Sequence, residues 1–119
     1  MPIPHHILKE TEIDIAVDLL LRDAADSGVS ELLLEPSAKD AVVRVRRDGL
    51  LHEWFHHAKE SHARFVHRLK LLARLREGVS LSCQENSLRR VVDGIEAESR
   101  LLVVPVLEGE KAVLCFRTP

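Results

Sequence analysis

The chain has 119 residues, 45% hydrophobic and 30% charged, with one Trp, three Phe, five Gly and five Pro. That is the size and composition of one soluble globular domain and excludes a disordered, collagenous or two-domain chain. A net charge of −2 conceals segregation: residues 10 to 40 hold nine acids against Arg22 and Lys39, net −7, and residues 41 to 76 hold nine bases against Asp48, Glu53 and Glu60, net +6.

The start, Met1-Pro2-Ile3-Pro4-His5-His6, has no cationic region followed by an apolar run, so residues 1–10 are expected to be an N-terminal segment without a secretory signal. Residues 11–119 are expected to form a single domain. Ile13, Ala16, Val17, Leu20 and Ala24 recur at helical spacing, with Thr11 in position to cap and Gly28 to stop the helix. Three β-type runs follow, Glu31–Glu35, Ala41–Arg47 and Leu50–Phe55, the last two joined by the hairpin turn Asp48-Gly49. A second helix is expected from a Ser61 cap through Phe65, Val66, Leu69, Leu72 and Ala73 to a stop at Gly78. The remainder reads as a meander: Leu88–Asp93, Ile95–Leu107 and Lys111–Arg117, with turns at Asp93-Gly94 and Glu108-Gly109. The predicted order is α-βββ-α-βββ, an α+β domain with a mostly antiparallel sheet and two helices.

Few chemistries fit these residues. The apolar stretch Leu101–Leu107 contains Pro105 and falls far short of the ~20 residues that span a bilayer, so no membrane insertion is expected. The glycines are 28, 49, 78, 94 and 109, too far apart for a Walker-type phosphate loop or a dinucleotide turn, so no enzyme is expected within this length. Cys83 and Cys115 have no C-x-x-C spacing, which suits a reducing, cytoplasmic location and argues against a disulfide frame. Among seven histidines, His52, His56, His57, His62 and His67 crowd one region, but neither zinc-type spacing nor an H-E-x-x-H motif appears, so no metal and no cofactor is expected. Cys83 lies near Ser80 and Ser82 with no local base to activate it. Arg44-Val45-Arg46-Arg47 raises nucleic acid as a partner, and the scarcity of aromatics argues against it.

Four stretches together resemble a known domain. Ala24-Ala25-Asp26-Ser27-Gly28-Val29-Ser30-Glu31-Leu32-Leu33-Leu34-Glu35-Pro36 is similar to a segment reading A-S-D-I-H-I-E-P after a helix, and Val43-Arg44-Val45-Arg46-Arg47-Asp48-Gly49-Leu50-Leu51 to a V-R-x-R-x-D-G-x-L hairpin. Arg68-Leu69-Lys70-Leu71-Leu72-Ala73 resembles R-[IL]-K-x-x-A, and Pro105 with Gly109-Glu110-Lys111-Ala112-Val113-Leu114 resembles P-T-x-x-G-E-x-x-V-L. Together they resemble the N-terminal, PAS-like domain of type II secretion and type IV pilus assembly and retraction ATPases, and the resemblance covers about residues 12 to 117.

The resemblance implies an adaptor that packs on a motor domain in a hexameric ring and sends arginines from its last strands to the nucleotide. Arg100 matches the first of those arginines; the second falls on Cys115, where the charge is lost. The family histidine falls on Leu33, and its P-Q-D-G-R loop on Cys83-Gln84-Glu85-Asn86-Ser87. The expected function is therefore a non-catalytic protein-interaction domain that docks on a secretion or pilus ATPase or related machinery, or self-associates as a homo-oligomer. Its expected interface residues are Arg44, Arg46, Arg47, Asp48 and Glu110. One alternative is the N-terminal part of an active hexameric ATPase, with Arg100 acting in trans on nucleotide. Another is a PAS-like module that senses a small ligand.

Overall fold

A computed structural model describes residues 10–78 and 81–116. The expected N-terminal segment, apart from Glu10, lies outside the described residues, as do Ser80 and Arg117. Eight elements follow in the predicted order: α1 (Glu10–Asp26), β1 (Glu31–Pro36), β2 (Ala41–Arg47), β3 (Leu50–His57), α2 (Lys59–Leu72), β4 (Gln84–Val92), β5 (Ile95–Val106) and β6 (Gly109–Phe116).

The strands form one sheet in the order β3-β2-β1-β6-β5-β4, and all five ladders are antiparallel. Two meanders are thus joined through β1 and β6. Both helices lie on one face, α1 over β4 and β5, α2 over β1 and β6. This is the PAS-like α+β arrangement of helices against an antiparallel sheet. Ile13, Val17, Leu20 and Leu21 of α1 and Phe65, Val66 and Leu69 of α2 pack on Leu32, Leu34, Leu101, Val103, Ala112 and Leu114. The apolar runs Leu32-Leu33-Leu34 and Leu101-Leu102-Val103 therefore divide by strand alternation, with Leu33 and Leu102 turned to the helix-free face.

The turns explain much of the register. Asp48-Gly49 (φ +52° and +80°) and Asp93-Gly94 (φ +52° and +78°) both take the positive angles of a type I′ hairpin, whose twist matches the flanking strands. In the β2–β3 ladder the register shifts between Val43 and Arg44 of β2, so that Trp54 of β3 is an extra residue between Phe55 and Glu53. This bulge puts Trp54 edge-on to Phe55, 5.7 Å between ring centres, at the margin of the core.

Four local expectations are corrected. Helix α1 already includes Glu10, so Thr11 lies inside it instead of capping it. Helix α2 starts after Ala58, which offers no capping side chain, and Ser61 is buried within its first turn. That helix ends at Leu72, not Gly78. Arg74 takes φ +59° there, with its N–H donated to the Leu71 carbonyl (3.2 Å) and the Leu75 N–H donated to the Lys70 carbonyl (2.8 Å). These two bonds make a Schellman end, with arginine where glycine is usual. β4 also begins earlier than the sequence suggests, at Gln84, because the polar residues Gln84–Ser87 pair with Arg100–Val103 of β5.

Candidate interaction surface

The helix-free face gathers most of the residues that the sequence singles out. One cross-strand row reads Glu53, Arg44, Leu33, Val113, Leu102 and Glu85 from β3 to β4. The next reads Leu51, Arg46, Glu31, Cys115, Arg100 and Ser87. Leu33, Val113 and Leu102 are half-buried and form an apolar strip across three central strands, bordered by charge on both sides.

Those charges are already matched. Arg44 donates to Glu35 (3.2 Å) and lies 3.5 Å from Glu53, and Arg46 donates to Glu31 (2.7 Å) and to the Gly49 carbonyl (3.1 Å). Arg100 donates to Glu85 at 2.6 Å, both exposed. The basic β2 is therefore neutralised by the acidic strand beside it, which leaves Arg44 and Arg46 no bare guanidinium to clamp a phosphate backbone. On the other face the acidic α1 is matched likewise, with Asp18 receiving two bonds from Arg90 (2.8 and 3.0 Å) and Asp14 lying 3.4 Å from Arg68. Arg47 and Asp48 stand exposed at the tip of the β2–β3 hairpin.

Glu110, expected on an interface, is instead buried between β6 and α2. Both its carboxylate oxygens receive hydrogen bonds from Lys70 Nζ, at 2.7 and 2.9 Å, and Lys70 also donates to the Gly78 carbonyl at 2.5 Å. The Glu110 carbonyl accepts from His62 Nε2 (2.6 Å), and Lys59 donates to Glu108 (2.7 Å). Together these contacts fasten α2 to the β5–β6 turn. A pocket of about 210 Å³ lies among them, and its lysines and glutamates pair with one another. Sequence reading missed the Lys70–Glu110 pair although both residues lie in the motifs that carry the family resemblance.

The histidines take separate roles. His56 bridges Asp40 (2.9 Å) and Glu53 (3.3 Å), and its pKa is raised, first by the hydrogen bond to Asp40 and then by that to Glu53. The same contact with His56 lowers the pKa of Glu53. His57 is buried and stacks on Phe65 at 4.8 Å. His62 is buried with its pKa lowered by desolvation, which outweighs the carbonyl it donates to. Among the described residues no three His, Cys, Asp or Glu side chains converge as a metal site.

Both cysteines are exposed free thiols. Burial, followed by the charge of Glu31, raises the pKa of Cys115, so its thiolate is disfavoured and a nucleophilic role is not supported. The space between the helices and the sheet is lined by Val17, Leu20, Leu21, Leu32, Leu69 and Leu114 and leaves no room for a water molecule, so no ligand cavity opens there. Among the described residues no helix is long and apolar enough to cross a membrane.

Comparison with known proteins connects this geometry to a family. The model of the Type II/IV secretion system protein family matches residues 8–118. The chain is 35% identical over 104 residues to "Type IV pilus assembly ATPase TfpB" of Acinetobacter baylyi, covering 87% of this chain and 18% of that protein. It is 33% identical to "Type II secretion system protein E" of Pseudomonas aeruginosa, over 82% of this chain and 20% of that protein. It is 32% identical to "Type IV pilus assembly ATPase PilB" of Myxococcus xanthus, over 82% of this chain and 18% of that protein. The chain thus spans about a fifth of the length of these relatives.

Proposed function

We propose that this chain, which belongs to the Type II/IV secretion system protein family, acts as a non-catalytic adaptor domain that docks on a secretion or pilus ATPase or a related component of such a machine. The docking surface is the helix-free sheet face together with the tip of the β2–β3 hairpin. The observation that carries this reading is the half-buried strip Leu33, Val113 and Leu102 set between the Arg44–Glu35–Glu53 cluster and the Arg100–Glu85 pair. A flat partner would take the strip out of water, which supplies affinity, while the flanking charges set orientation. Arg47 and Asp48 would reach the partner first, being exposed at the hairpin tip. The experiment is capture of the purified motor by immobilised chain. Capture by wild-type chain and its loss in Leu33→Glu, with an unchanged circular dichroism spectrum, supports the reading; equal capture by both contradicts it.

A second reading is favoured by one feature. Arg100 is exposed on the helix-free face, and its ion-pair partner, Glu85, is exposed too, so the guanidinium can be released to a phosphate at little cost. In that reading the chain supplies Arg100 in trans to nucleotide held by a motor domain. Addition of wild-type chain to the motor would then stimulate ATP hydrolysis and Arg100→Ala would not, whereas equal stimulation by both excludes a role for the side chain.

A further inference from the structure

The sheet ends in two edge strands that are built differently. At the β3 edge the bulge at Trp54 breaks the regular ladder and blunts pairing with another chain. At the other edge β4 runs nine residues, Gln84–Val92, with no bulge and no proline, and matches β5 residue for residue. Among the described residues no other strand pairs with its outer backbone groups, and the segment after α2 is tied to β4 only through side chains, Gln84 to Arg76 and Asn86 to Ala73.

The phase of that edge follows from the turn beside it. A two-residue hairpin turn is closed by a mutually hydrogen-bonded pair, here Val92 and Ile95 across Asp93-Gly94. Even-numbered residues of β4 therefore direct their N–H and C=O groups at β5. Glu85, Ser87, Arg89 and Val91 direct theirs outward, and all four are exposed. The sequence of the edge is self-complementary about Ser87. A second β4 laid antiparallel with Ser87 facing Ser87 sets each Glu85 opposite Arg89 of the other copy, in hydrogen-bonded positions. Centring on Arg89 or on Glu85 sets like charges face to face, and centring on Asn86 or Leu88 leaves both charges without an opposite partner.

We propose that two copies of this chain associate about a two-fold axis through their β4 edges, in the register centred on Ser87. The sheet becomes continuous over twelve strands, and the exposed pairs Arg100–Glu85 (2.6 Å) and Arg89–Glu96 (2.7 Å) of the two copies join into one alternating row on each side of the axis. The blunted β3 edge stops further addition, so the assembly closes as a dimer and does not run on as a filament. A contact between two strands falls below the roughly 1,200 Å² of stable complexes, so the dimer is concentration-dependent. The apolar strip Leu33, Val113 and Leu102 and the β2–β3 tip stay open in it, whereas the Arg100–Glu85 pair borders both contacts, so Leu33→Glu is the variant that touches docking without touching the dimer.

Sedimentation equilibrium of the 119-residue chain from roughly 10 to 500 µM tests this. The wild type is expected to pass from monomer to dimer over that range. Glu85→Arg or Arg89→Glu alone raises the dissociation constant about tenfold or more, because like charges then face each other. The two together restore opposite charges across the axis and recover much of the association lost in either single reversal. Ser87→Pro removes an outward N–H without taking a bond from β5, and it abolishes the dimer. With native circular dichroism throughout, a wild type that stays monomeric at every concentration overturns the proposal. So does a dimer indifferent to the single reversals, or a double reversal that fails to restore association.

Discussion

Lys70 Nζ sits 2.7 and 2.9 Å from the two carboxylate oxygens of Glu110, with both side chains buried between α2 and β6. The pair joins the R-L-K helix motif to the G-E hairpin motif across forty residues of sequence, and it locks the second helix onto the last hairpin. A buried ion pair owes its worth to completeness: either charge left alone in the interior is costly, whereas an apolar pair of similar volume is often tolerated.

Lys70→Met or Glu110→Leu alone is therefore expected to destabilise the fold by about 3–5 kcal/mol, and the double variant to recover most of that loss. Urea unfolding of the four proteins of the cycle measures it. Additive single-variant losses would show that the two side chains do not act as a pair.

The histidines split in pH response. His62 has a folded pKa below its ordinary value, so it lowers stability as pH falls through about 6.5 and the unfolded chain takes the proton first. His56 has a raised pKa, so its contribution is full below about 6.5 and is lost as pH rises through the folded value. NMR titration of the imidazole resonances is expected to place His62 below and His56 above free histidine. His62→Gln should flatten the acid side of the stability profile, and an unchanged acid side would show that another group governs it.

Arg74 occupies the left-handed position that closes α2, where a side chain is strained and glycine is not. Arg74→Gly is expected to stabilise the protein by about 0.5–1 kcal/mol, read as a higher urea midpoint with unchanged slope. A lower midpoint would mean that the Arg74 side chain contributes contacts worth more than the strain.

Cys115 stands opposite Arg100 in the ladder and beside Glu31, with its thiol held protonated by burial and acidic neighbours. Iodoacetamide near neutral pH is expected to label Cys83 faster than Cys115, as peptide mapping by mass spectrometry would record. Faster labelling at Cys115 would contradict the raised pKa.

The elements were legible wherever local chemistry decides structure. Asp48-Gly49 and Asp93-Gly94 announce turns because glycine accepts their positive φ, and the apolar spacing of Ile13 to Ala24 announces a helix because one face must be buried. What escaped was decided by distant neighbours. Gln84 to Ser87 are too polar to read as strand, yet β5 supplies their ladder. Arg74 gives no sign of a helix end, since the local strain is offset by two capping bonds. Glu110 looks like a surface hairpin residue until Lys70 is brought to it by the packing of α2. Arg44 and Arg46 look like free charges until strand pairing sets Glu35 and Glu31 beside them.

The proposed docking of the helix-free face on a motor of this family is open to a binding titration of labelled chain against a purified pilus or secretion ATPase. Leu33 stands in the middle of the apolar strip, between Arg44 and Val113. Saturable binding to the wild type, weakened about 30-fold or more by Leu33→Glu as for a central interface residue, is the predicted result. Saturable binding of equal strength by wild type and variant, or no binding by either, would contradict it.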